Sequence, residues 1–363
     1  MTATLASLRA AAVAQTLFAP TSLQRAVHQL GFVQADPIRA PARAQDLILF
    51  QRVDGYRAGD LERRYAQLDV EEDHFINYGF LPRAAVALMH PRVPRRRWSR
   101  ATSARAQAVV EFVRARDEVH PRDVDAHFQA GKVKNAWGGT SSATTHLLDD
   151  LHYRGHLRIA RRDKGIRIYA PPFALSERSE SKRAPPSAEQ QLDALVDLAV
   201  SLYAPLPRAS LTMLVSRLRY CAPQLAHLRP GALQRALRRF ASARVEGTHW
   251  FWPEQTRPRE ISPRVRLLAP FDPVVWDRRR VELLWGWTYR FEAYTPVKQR
   301  KLGYYALPML FGDALVGWGN LSLEPGGLHA DLGYISGSPP RGATFRRALE
   351  EELEGCRTFL ASR

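Results

Sequence analysis

Leu157-Arg158-Ile159-Ala160-Arg161-Arg162-Asp163-Lys164-Gly165-Ile166-Arg167-Ile168-Tyr169 is the stretch on which the fold turns. Residues 157–160 and 166–169 are β-prone runs. The polar segment between them, ending in glycine, predicts a hairpin with a basic tip. Just upstream, Ala106, Val109, Val110 and Val113 fall on one helical face, and residues 122–128 read as a second helix. Trp137-Gly138-Gly139 predicts a turn, with Thr140 or Ser141 capping a third helix whose inner face is Ala143, Leu147, Leu148 and Leu151. Three helices followed by a two-stranded wing make a winged helix.

The same grammar extends in both directions. After a polar linker from Ser176 to Ser187, helices around 192–203, 210–218 and 231–243 lead into Arg244-Val245-Glu246-Gly247-Thr248-His249-Trp250-Phe251-Trp252, a second wing turning at Glu246-Gly247. Leu233, Leu237 and Phe240 face inward there. Toward the N-terminus, Leu5, Leu8, Val13 and Leu17 suggest an opening helix, and Thr21 caps a second carrying Leu23, Val27 and Leu30. A short strand, an apolar helix over 42–53 and a further helix over 59–67 complete a third example. From Val265 the texture changes to short aromatic and β-branched runs. Residues 281–285, 289–294, 303–310 and 314–318 read as strands of a curled sheet closed by a helix over 343–360. The expected class is α+β: three tandem winged-helix modules over 1–100, 101–180 and 186–256, then a small β-rich, barrel-like domain over 260–363.

Composition limits the partners. Of 363 residues, 53 are Lys or Arg and 36 Asp or Glu, a net charge of +17. Guanidinium binds phosphate in a bidentate fork, so nucleic acid is the first partner to consider. The run Arg92, Arg95, Arg96, Arg97 and Arg100 reads as a solvated linker or a phosphate strap. Cys221 and Cys356 match no metal-ligand spacing, and two isolated cysteines suit a reducing cytoplasm. No apolar run reaches the length of a membrane span. No phosphate-binding loop, dinucleotide fingerprint or metal site is legible, so neither cofactor nor metal is expected.

The chemistry is concentrated in Gly31-Phe32-Val33-Gln34-Ala35-Asp36-Pro37-Ile38-Arg39-Ala40. Pro37 disfavours a helical Asp36, so Gln34 and Asp36 share one face of an extended segment. Arg39 and Arg43 follow, close enough to hold a carboxylate ionised. A carboxylate beside an amide can hold and polarise a water molecule. The same Asp-Pro pair is also how a helix begins, with Asp36 as its N-cap, and the local sequence leaves both readings open.

Gly31-Phe32-Val33-Gln34-Ala35-Asp36, the segment from Asp73-His74-Phe75 to Phe80-Leu81-Pro82, and Leu268-Ala269-Pro270-Phe271-Asp272-Pro273-Val274-Val275-Trp276-Asp277-Arg278 resemble the YcaQ/AlkZ-type DNA glycosylases. So does Tyr289-Arg290-Phe291-Glu292-Ala293-Tyr294-Thr295-Pro296, with Lys298-Gln299-Arg300 after it. The family's motif is Gln, an apolar residue, then Gln or Asp. Here it reads Gln34-Ala35-Asp36, the Asp-bearing YcaQ type, with a smaller middle residue than expected. The resemblance implies a monofunctional enzyme hydrolysing the N-glycosidic bond of N7-alkylated purines in double-stranded DNA, including unhooking of interstrand crosslinks. Gln34 and Asp36 are the expected catalytic residues. Arg39, Arg43, Arg161, Arg162, Lys164, Lys298 and Arg300 are the expected DNA contacts, with Tyr294 and Trp276 in the core. A monomer in the cytoplasm is expected. The alternatives are a winged-helix transcription regulator and a non-catalytic damaged-DNA-binding protein.

Overall fold

The computed structural model describes residues 3–94, 97–129, 131–134, 140–173, 186–254 and 261–361. The turn expected at Trp137-Gly138-Gly139, residues 176–185 of the expected linker, Arg95 and Arg96 fall outside them.

One order, three helices and then a hairpin, occurs three times, with a short strand after the first helix in the first and third cases. In the first repeat these are α2 (Leu23–Leu30), β1 (Val33–Gln34), α3 (Ala44–Phe50), α4 (Asp60–Arg64), β2 (Val70–His74) and β3 (Tyr78–Pro82). Ser22 caps α2, not Thr21, which bridges to Val53 instead. The short helix α5 (Arg83–Ala87) follows β3.

The second repeat has α6 (Arg100–Arg114), α7 (Pro121–Phe128), α8 (Ala143–Arg154), β6 (Arg158–Asp163) and β7 (Ile166–Ala170), with a small pair β4 (Lys132–Lys134) and β5 (Thr140–Ser142) between helices. Ser142 caps α8, one residue beyond the expected pair. The third repeat runs through α9 (Ala188–Tyr203), β8 (Leu206–Pro207), α10 (Arg208–Arg217), α11 (Arg229–Arg239), β9 (Ala241–Val245) and β10 (Thr248–Trp252).

In the first and third repeats the short first strand bonds the last, giving orders β1-β3-β2 and β8-β10-β9. In the second a single bridge from Val119 to Tyr169 plays that part. The tips turn through left-handed pairs, Lys164-Gly165 and Glu246-Gly247, as two-residue hairpin loops require.

The opening helix α1 (Leu5–Thr16) does not belong with the first repeat. Its Leu8 and Ala12 pack with Trp250 of β10 and Leu284, and Val13 and Leu17 pack with Val274 and Val281. Its apolar face follows the third repeat and the C-terminal region, so the first repeat begins at about Ser22.

The C-terminal strands are β11 (Val265–Leu267), β12 (Leu307–Phe311), β13 (Ala314–Glu324) and β14 (Gly327–Tyr334), bonded antiparallel in chain order. This is an open half-barrel. Val281 and Leu284, expected in a strand, lie instead in α12 (Arg278–Trp285), because the Asp277 carboxylate caps the amides of Arg279 and Arg280. The expected strand over 289–294 is irregular.

Helix α13 (Ala343–Leu360) closes the sheet as expected and also reaches the first repeat. Phe359 stacks on Phe50 at 4.6 Å. Glu352 Oε1 accepts from Gln51 Nε2 at 2.6 Å and from the Leu267 amide at 2.8 Å. Burial pushes the Glu352 carboxyl from 4.5 up to about 7. The unfolded chain releases this proton first, so stability falls as pH rises between those two values. Glu352→Gln keeps the acceptor oxygen and removes the charge. It is expected to add about 3 kcal/mol near pH 8 and nothing near pH 4. Thermal melts of parent and variant at both pH values check this; equal melts throughout would mean that the carboxyl is not what titrates.

Candidate active site

The expected site is carried by β1 and the loop after it. Gln34 pairs with Gly79 of β3, where any side chain would strike the Val33 carbonyl, since a Cβ would lie 2.3 Å from that oxygen. Glycine there lets β1 lie against the hairpin. Asp36 caps no helix: α3 starts at Ala44, and the Asp36 Oδ1 accepts the Ile38 amide at 2.9 Å in a local turn. Its own amide donates to Gln45 Oε1 at 3.3 Å. The capping reading is therefore excluded.

Asp36 is half-buried on the wall of a cleft of about 560 Å³, together with Ala35, Arg43, His74, Tyr78, His152 and Arg167. Gln34 is buried beside it, 7% exposed. Its Oε1 accepts from Asn77 Nδ2 at 2.9 Å and from Trp276 Nε1 at 2.8 Å. So Trp276 is part of a core only in a limited sense. It stacks on Tyr203 at 4.7 Å and touches the doublet from a distant part of the chain.

The arginines are distributed otherwise than the sequence suggests. Arg43 pairs with Glu62, and Arg39 is exposed. Neither holds Asp36 ionised. Burial pushes the Asp36 carboxyl above its ordinary 3.8, and the Ile38 hydrogen bond only partly offsets that.

Across the cleft, the second wing folds down onto the first repeat. Arg162 forks onto the buried Glu72, which also accepts from the Tyr78 hydroxyl at 3.0 Å. Burial alone would raise the Glu72 carboxyl, but Arg162 outweighs it and holds that group low. Arg162 therefore clamps two repeats together and is not a free phosphate ligand, a correction to the reading of the wing tip. Arg167 pairs with Asp149 at 2.8 Å and covers one face of Tyr78. Desolvation lowers His74 to about 4, leaving a neutral imidazole on the wall near pH 7.

Arg92 is likewise no strap. It is buried, bonding Asp73 at 2.7 Å and the carbonyls of His74, Tyr153 and Cys221. Arg161 is exposed and pairs with Glu118 at 2.9 Å, a surface contact that competes weakly with other anions. Lys164 stands exposed at the wing tip.

Lys298 is exposed on another loop, where Arg300 donates to the Thr295 carbonyl and lies over Tyr304. Buried Glu292 pins that loop through the amides of Lys301 and Leu302, both at 2.8 Å. Tyr294, expected in the core, is 82% exposed there. Buried Tyr305 follows that loop in the chain, and burial raises its hydroxyl, with the Asp36 charge adding to the effect. Asn77, Tyr78 and Glu72 are not singled out by the sequence, and Trp276 is expected there only as core. Their one signal is a place in or beside the two stretches that contain Asp73-His74-Phe75 and Phe271-Asp272-Pro273.

Compared with known proteins, the chain falls in the class of DNA glycosylases. The family model described as DNA glycosylase AlkZ-like matches residues 27–359, and the chain belongs to that family. Its fold is similar to that of Streptomyces sahachiroi DNA glycosylase AlkZ, with a TM-score of 0.61 over 99% of this chain and 97% of that one, at 15% identity. The family read from the sequence is borne out. Membership implies an enzyme whose partner is DNA. Among the described residues no helix is long and apolar enough to cross a membrane.

Proposed function

We propose that this protein is a monofunctional glycosylase of the Asp-bearing type, acting on N7-alkylated purines in duplex DNA, interstrand crosslinks included. The observation that carries the reading is the state of Asp36. Its carboxylate lines an open cleft and is lifted by burial. Among the described residues it is committed to no cation, only to one backbone amide. A carboxylate so placed is available as a base and as a counter-charge.

An N7-alkylated purine is already cationic, so it departs from C1′ with the bonding electron pair and needs no general acid. The barrier then lies in the oxocarbenium-like sugar, which Asp36 stabilises while it takes a proton from the attacking water. Gln34 supplies the second hydrogen bond to that water. Among the described residues no lysine lines the cleft, so hydrolysis rather than Schiff-base chemistry fits, and an abasic site is the product. The neutral His74 and Tyr78 add no charge of their own that would repel a cationic base.

On this reading the three repeats are winged-helix modules and the protein clasps duplex as a monomer. Lys164, Arg161, Arg39, Lys298 and Arg300 meet phosphate, and exposed Tyr294 faces the helix. Incubation with duplex containing 7-methylguanine tests it. Release of free base, leaving an alkali-labile site, is expected. Tight binding without release would instead make this a non-catalytic damage-binding protein.

A further inference from the structure

The hydrogen bonds around Gln34 fix which end of its amide is left for chemistry. An indole Nε1 can only donate, and that of Trp276 lies 2.8 Å from Gln34 Oε1. Asn77 Nδ2 donates to the same oxygen at 2.9 Å. Turning the amide over would set its NH2 against the indole N–H, so the orientation is determined by the network. With Oε1 doubly occupied, Gln34 retains only Nε2, whose hydrogens have no partner among the described residues.

The clamp is itself held rigidly. The Trp276 amide donates to the Asp272 carbonyl at 2.8 Å. Fully buried Asp272 pairs with fully buried Arg52 of the first repeat at 2.7 Å. The Trp276 ring stacks on Tyr203 of the third repeat, and Arg280 fixes the same loop through the carbonyls of Pro273 and Val274. The indole is thus placed against one residue of β1 by two distant segments, those of Arg52 and Tyr203, and by Arg280 four residues on.

We propose that Trp276 and Asn77 are positioning residues that lock Gln34 as a hydrogen-bond donor only. This rests on the glycosylase reading above and assigns the two halves of the doublet separate tasks. Gln34 Nε2–H donates to one lone pair of the attacking water. The other lone pair forms the bond to C1′ as the C1′–N9 electron pair leaves with the purine, and one water proton passes to Asp36. Gln34 cannot accept that proton, nor orient the water through Oε1.

The test is single-turnover release of 7-methylguanine from duplex, beside binding of a duplex bearing a tetrahydrofuran abasic analogue. Trp276→Phe keeps the ring stacking and removes the N–H. It is expected to slow release about 10- to 100-fold, the range for a misplaced reacting group, with analogue affinity changed less than about twofold. Asn77→Leu should behave alike.

Gln34→Glu keeps an acceptor for both Trp276 and Asn77 but replaces the donor, so it should fall as far as Gln34→Leu. Release by Gln34→Glu at the parent rate would show that only anchoring matters and overturn the proposal. So would Trp276→Phe at the parent rate, or a loss of affinity equal to the loss of rate. In all three cases the glycosylase reading survives, because the parent still releases base. A parent that releases none overturns that reading and the donor role with it.

Discussion

Replacing Asp36 with asparagine is expected to slow 7-methylguanine release about 100- to 10,000-fold while leaving the fold intact. The fold should survive because the asparagine side-chain oxygen can still accept the Ile38 amide that shapes this turn, and no ion pair is broken. The rate should fall because an amide neither takes a proton nor balances a developing sugar cation. The parent's pH profile carries a linked expectation. Burial raises the Asp36 carboxyl, so the acid limb of the rate should have its midpoint above the ordinary 3.8 and should vanish in the variant. Single-turnover kinetics from acid to neutral pH measure both. A variant that cleaves at nearly the parent rate would remove Asp36 from the mechanism.

Arg92→Met is expected to give the largest loss of stability, about 3–5 kcal/mol, as breaking a buried pair by removing one partner does. Arg92 and Asp73 are almost wholly buried, and the same guanidinium bonds a carbonyl in the first repeat, another in the second and a third, that of Cys221, in the third. Methionine fills similar length without any of those bonds.

The loss should depend on pH. In the parent, burial is outweighed by Arg92 and His90, which hold the Asp73 carboxyl well below the carboxylate range. Without Arg92 the balance tips toward burial and the folded carboxyl moves up. The variant then loses further stability as pH rises through that value, so the gap to the parent should be wider near pH 8 than near pH 5. Denaturant melts at both pH values measure it. A change below about 1 kcal/mol would show that the three repeats do not depend on this junction.

The legible parts of the fold are those in which a few neighbouring residues decide the outcome. The helix expected over 343–360 coincides with α13, and both hairpins turn where Lys164-Gly165 and Glu246-Gly247 demand it. Sequence and structure part where a local pattern has two solutions. Val281-Glu282-Leu283-Leu284-Trp285 suits strand or helix by composition, and one carboxylate, that of Asp277, decides for helix. Helix α1 is expected with its sequence neighbours, but an apolar face has no address, and this one packs against residues more than two hundred positions away.

The sequence by itself determined the two hairpin turns, the C-terminal helix and the family, since these depend on turn residues, periodicity and motif. Only the tertiary structure decided what each charge does. Arg162 and Arg92 look in sequence like any other basic residue. In the folded chain they are bound to Glu72 and Asp73, because a guanidinium near a buried carboxylate is held there by the cost of leaving that charge unpaired. For the same reason the state of Asp36 does not follow from its neighbours. Proximity in sequence sets arginines next to it, whereas Arg43 turns to Glu62 and burial is left to set its ionisation.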